Sequence, residues 1–143
     1  MKHTPDDIIQ EARSWLGVPF VHQGRTRYGV DCLGLLMGIA ASLQLVDRHG
    51  VPLTHHDQRA YSTMPCVQHL YATLSDACRE VDAWQHGDIG LFRIEGRAQH
   101  VAIYADAPMP MLIHAYQSAG CVVEHHYDAT WMRRLASIFR VLG

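Results

Sequence analysis

At 143 residues, with 48% hydrophobic and 18% charged side chains, the chain has the composition of one globular domain rather than of a disordered segment. A formal net charge of −2 leaves no basic surplus, which argues against nucleic acid or anionic lipid as the main partner. The start is polar and acidic rather than a signal peptide, and the longest apolar run, Leu33 to Leu45, is too short and too broken to insert in a membrane, so the expectation is a protein made in the cytoplasm.

Thr4 as N-cap, Pro5 at the first helical position and Asp6 and Asp7 in the first turn open a first helix. Ile8, Ile9, Ala12, Trp15 and Leu16 give it an apolar face, and Gly17 marks its end. Val18 to Val30 has no period and reads as a loop. Asp31 then caps a second helix from Cys32 to about Leu45, apolar on nearly every face and therefore buried. Its glycines, Gly34 and Gly38, allow neighbouring elements to approach closely. An irregular connection over Asp47 to Pro65 leads to a third helix from about Cys66 to Val81.

After Gly87 the pattern turns to short strands: Ile89 to Ile94, Gln99 to Ala105, Met111 to Tyr116, Cys121 to Tyr127 and Ser137 to Leu142, with turns at Glu95-Gly96, Pro108, Pro110 and Ala119-Gly120. Helices followed by strands predict an α+β fold, with N-terminal helices packed on a central antiparallel sheet of about five strands, in a single domain over 1–143.

The cysteines Cys32, Cys66, Cys78 and Cys121 have neither disulfide nor zinc spacing. Cys32 alone stands at a helix start, where free N–H groups and the positive end of the macrodipole favour a thiolate. A thiol nucleophile needs a base that later serves as acid, and imidazole fits that task. Of the eleven histidines, His100 opens an alternating strand and His114 sits similarly in the next, so paired strands bring the two together. His55-His56-Asp57 and His125-His126 form no metal-ligand frame and read as surface residues; no metal and no cofactor is expected.

Asp31-Cys32-Leu33-Gly34-Leu35, Gly87-Asp88-Ile89, His100-Val101-Ala102-Ile103-Tyr104 and Ile113-His114-Ala115, in this order, resemble the NlpC family of cell-wall peptidases. The resemblance covers about Ile8 to Ala115 and implies a papain-like fold, with Cys32 as nucleophile, His100 as base and His114 orienting that base. It implies a peptidoglycan peptide as substrate, typically cut between D-glutamate and diaminopimelate. Candidates for substrate contact are Phe20, Asp31, Leu33 and Asp88. Of these, Asp31 reads first as an N-cap and Asp88 as a strand-start or turn residue. Phe20 stands where the family usually has Tyr, and Leu33 where it usually has Ser.

The Asp-Cys-Leu-Gly-Leu form and His22-Gln23-Gly24 are most similar to the branch carried by phages and phage-like gene transfer particles, which implies phage tail proteins as partners and action on the wall as part of a tail. Two alternatives stand beside the peptidase: a weakly catalytic tail-tip assembly module, and a papain-like amidase or acyltransferase acting on another substrate.

Overall fold

Helix α1 (Pro5–Arg13) begins where its capping residues require. In the computed structural model, which describes residues 3–57, 67–94 and 97–141, the Asp7 N–H donates to the Thr4 hydroxyl, and the Thr4 N–H donates to the Asp7 carboxylate at 2.7 Å. Ile8, Ile9 and Ala12 are buried, and the helix stops at Arg13, one turn before Gly17.

A two-stranded antiparallel ribbon, β1 (Arg25–Thr26) and β2 (Gly29–Val30), lies within the segment expected as a loop. Helix α2 (Cys32–Leu43) follows at once, buried along most of its length. Its glycines sit where neighbours press hardest. A Cβ on Gly34 would lie 2.0 Å from the Gly24 carbonyl oxygen, and one on Gly38 would lie 2.5 Å from the Trp15 ring. Helix α3 (Val67–Ala77) comes next, and Cys66, the expected start of that helix, lies outside the described residues.

Among the described residues six strands form the main sheet, one more than the five read from the sequence: β3 (Arg79–Val81), β4 (Ile89–Ile94), β5 (Arg97–Ala105), β6 (Met111–Tyr116), β7 (Cys121–His126) and β8 (Leu135–Arg140), in the order β3-β8-β4-β5-β6-β7. Every pair is antiparallel. The extra strand arises because α3 ends at Ala77 and Arg79–Val81 pairs with β8 instead of continuing the helix. The Glu95-Gly96 turn and the Leu142 strand end fall outside the described residues.

Period-two alternation divides the sheet between two cores. Val101, Ile103 and Ala105 of β5 join Ile8, Ile9, Leu35 and Ile39 in the main core beneath the helices. Ala102 and Tyr104 face the other way, into a smaller cluster with Phe92, Leu112 and Trp131. Trp131 comes from a short helix, α4 (Ala129–Arg134), which the sequence pattern did not reveal; Asp128 caps it by accepting the Trp131 N–H. Each large apolar side chain fully buried here contributes about 1.5–3 kcal/mol, which makes the α2–sheet contact a rigid mount. Among the described residues no helix is long and apolar enough to cross a membrane.

Candidate active site

The start of α2 is held from three directions through one carboxylate. Asp31 accepts the Gly34 N–H at 2.8 Å, the Gln23 N–H at 2.9 Å and the Arg25 Nη1 at 3.1 Å. The Arg25 side chain is itself buried and reaches Asp57 with its other nitrogens. Asp31 is therefore the expected cap and also an anchor for the 23–25 loop, and Arg25, which sequence reasoning missed, is the counter-charge that lets it be buried.

Cys32 is the first residue of α2 and is half-buried. It packs over β5 at Val101, Ala102 and Ile103. Burial pushes its thiol up to about 11, against backbone hydrogen bonding from Val101, while the neighbouring Asp31 carboxylate adds to the rise. The resting thiolate expected from the helix start is thus overturned, because desolvation of the sulfur outweighs the favourable backbone groups around it. The resting group is a thiol, and it requires a base.

The residue expected to serve as that base lies on the same strand, β5. His100 immediately precedes Val101, whose backbone touches the sulfur. The β5–β6 register runs from Ala105↔Met111 to Ile103↔Ile113, which sets His100 and His114 on adjacent strands. His100 Nε2 lies 2.5 Å from His114 Nδ1, inside the structure. His114 Nε2 lies 2.7 Å from His125 Nε2, and His125 Nδ1 lies 2.8 Å from the His126 carbonyl oxygen. Burial pushes His100 down to about 3 and His114 down to about 2, so both imidazoles are neutral near pH 7, each with one ring nitrogen free of hydrogen.

Trp131 closes this row on its outer side, its ring 5.7 Å from that of His100, 4.9 Å from His114 and 5.6 Å from His125. Tyr116 stacks on His114 at 5.2 Å. The paired strands thus bring His100 and His114 together as expected, and His125, expected at the surface, is half-buried and joins their row. Its signal lay in the β6–β7 register, where Leu112 opposes His125 and His114 opposes Val123, so that His125 shares a face with His114. His126 points the other way and is exposed.

The other candidates for substrate contact are placed in the structure. Leu33 is buried in the main core. Asp88 is 2% exposed, accepts the Gln85 N–H and is gripped by Arg140 through two bonds of 2.9 and 2.8 Å. It also stands four residues along β4 from Phe92, the partner of His100, a separation of about 13 Å. Its carboxylate ties the turn before β4. Phe20 is partly buried against the main core, and its N–H donates to the Gly120 carbonyl. Among the described residues no three His, Cys, Asp or Glu side chains form a metal-holding group; the imidazoles are hydrogen-bonded to one another.

Known structures share this architecture. An NlpC/P60 family protein from Bacillus cereus superposes with a TM-score of 0.72 at 22% identity, covering 100% of this chain and 42% of that one. The NlpC/p60 domain of the peptidoglycan hydrolase SagA gives 0.66 at 19% identity, covering 96% of this chain and 99% of that one. The peptidoglycan hydrolase RipB of Mycobacterium tuberculosis gives 0.66 at 21% identity, covering 97% and 65%. The chain therefore spans less than half the length of the Bacillus protein. No curated protein matches it significantly. At these identities the likeness speaks for the papain-like α+β fold, and the family model adds the sequence: it matches residues 17–140, a span that runs from the 23–25 loop through α2 and all three imidazoles, and the chain belongs to the NlpC/P60 family.

Proposed function

We propose that the protein is a cysteine peptidase that hydrolyses the peptide stems of bacterial peptidoglycan, with Cys32 as nucleophile, His100 as base and His114 as the residue that orients the base. The observation that carries this reading is a half-buried thiol at the head of a buried helix, in a chain whose His100 is already bonded through Nε2 to a second imidazole. His100 removes the thiol proton as the sulfur attacks the scissile carbonyl carbon. The positive end of α2 favours the oxyanion that forms. His100 then returns the proton to the leaving amine, and water hydrolyses the thioester. Structural neighbours described as peptidoglycan hydrolases support the substrate class.

A D-glutamyl–diaminopimelate type of bond is the proposed cleavage point, and the whole chain is read as one catalytic domain. We read its setting as a phage tail or phage-like particle, with tail proteins as partners. It would be made in the cytoplasm and act on the wall. The Asp31-to-Leu35 motif and the His22-Gln23-Gly24 loop support that branch.

Incubation of the purified protein with stem peptides and with intact wall, read by mass spectrometry, tests the reading. Cleavage that exposes a new amine and vanishes in Cys32→Ala is the expected result. If neither substrate is cut while Cys32 remains reactive toward small thioesters, an acyltransferase reading replaces it.

A further inference from the structure

We infer that His125 is a positioning residue for the base: it sets the tautomers of the imidazole row and takes up the positive charge created when Cys32 is deprotonated. This rests on the peptidase reading above and goes beyond it.

The direction of every hydrogen bond in the row follows from its outer end. A carbonyl oxygen only accepts, so the 2.8 Å contact to the His126 oxygen requires that His125 Nδ1 carry a hydrogen. In neutral His125 the Nε2 is then a lone pair, and the 2.7 Å contact requires that His114 Nε2–H donate to it. His114 Nδ1 is in turn a lone pair, and His100 Nε2–H donates to it across 2.5 Å. His100 is left with a bare Nδ1, the nitrogen able to receive the proton of Cys32. One backbone carbonyl three imidazoles away thus decides which nitrogen of the base is basic.

The same row offers the charge a way out. His100 is 7% exposed and His114 0%, so an imidazolium held at either carries the full cost of burial, whereas His125 is only partly buried. The transfer balances atom by atom. The Cys32 S–H breaks and His100 Nδ1–H forms; His100 Nε2–H breaks and His114 Nδ1–H forms; His114 Nε2–H breaks and His125 Nε2–H forms. A thiolate remains at one end and a His125 imidazolium at the other, and the reverse passage returns the proton to the leaving amine.

Histidine-selective 15N NMR of the full-length protein near neutral pH tests the assignment without any substrate. We expect Nε2–H tautomers at His100 and His114 and an Nδ1–H tautomer at His125. Two variants separate the roles. His125→Gln offers an amide oxygen that still accepts from His114, so the His100 tautomer should persist while turnover falls about tenfold for want of a charge acceptor. His125→Arg can only donate; it should turn His100 to Nδ1–H and lower both turnover and iodoacetamide labelling of Cys32 at least a hundredfold. Thermal melting of each variant monitors folding, and if His125→Arg does not fold, the wild-type and glutamine spectra still decide. An Nδ1–H tautomer at His100 in the native protein, or an unchanged tautomer and unchanged labelling in folded His125→Arg, overturns the inference. If the spectra come out as expected but no stem peptide is cut, the row stands and the substrate reading falls.

Discussion

Arg25 holds Asp31 from behind: its Nη1 lies 3.1 Å from the Asp31 Oδ1, and both side chains are almost wholly removed from water. The same guanidinium spans to Asp57, so one cation is shared by two carboxylates at the point where the 23–25 loop meets the head of α2. Replacing Arg25 by Met leaves both acids without it in a poorly solvated place. Loss of one partner of a buried pair costs about 3–5 kcal/mol, and urea denaturation should show a destabilisation of that size. A loss below 1 kcal/mol, on the order of an exposed pair, would mean that water already screens the cluster.

The Gly24–Gly34 contact leads to a second expectation. A methyl group at Gly34 would fall 2.0 Å from the Gly24 carbonyl oxygen, and both partners are backbone, so neither can rotate away. Gly34→Ala must push the loop off the helix, with a loss of about 1–3 kcal/mol or more by overpacking. Calorimetry should show a lowered Tm. A crystal structure of the variant should show Gln23 withdrawn from Asp31, and an unmoved loop would contradict the argument.

Cys32 should label as a thiol at rest. With burial pushing it up to about 11, against an ordinary 9.0, its iodoacetamide labelling rate should still climb between pH 9 and 11. The shift has a stability counterpart of defined sign. A raised folded value favours the protonated form, so the contribution is complete below pH 9 and is lost as pH rises through 11. Peptide-level mass spectrometry of labelled protein gives the rate profile, and a plateau below pH 8 would identify a resting thiolate instead.

The buried imidazoles make the fold sensitive to acid. His100 and His114 are pushed down from 6.5 to about 3 and about 2, so the unfolded chain binds more protons than the folded one as pH falls. Their stabilisation is complete above pH 6.5 and is lost as pH drops toward those folded values, at up to about 1.4 kcal/mol per pH unit for each. Denaturation curves from pH 7 to pH 4 should therefore slope downward in the native protein. The slope should flatten by about half in His114→Gln, which removes one of the two buried titrating groups; an unaltered slope would place the acid sensitivity elsewhere.

Much of this arrangement could be read from one-dimensional pattern, and the exceptions have physical causes. The strands β4 to β7 followed from short apolar runs bounded by turn residues, because a sheet covered on both faces writes such runs into the chain. The α2 cap followed from Asp31 before an apolar run. Helix α4 escaped because six residues are too few to show a 3.6-residue period, and β3 escaped because Arg79–Val81 carries edge-strand polarity. In the site, Cys32, His100 and His114 carry local signals, whereas Arg25 and His125 act only through partners distant in sequence or across a strand pair. Asp88 was ambiguous for the same reason, since Arg140, 52 residues on, is what gives its carboxylate a structural role.

The row of imidazoles also has a polarity, and polarity can be reversed. A proton arriving at His125 from solvent makes both its nitrogens donors, since Nδ1–H is already committed to the His126 oxygen. His114 must then receive at Nε2 and donate from Nδ1, and His100 must receive at Nε2 and carry its hydrogen on Nδ1. The His100 nitrogen that is bare in the neutral row then carries an N–H. The base is silenced from its outer end with no charge entering the core, so the donor or acceptor that β7 presents to the row is felt at its far end on β5.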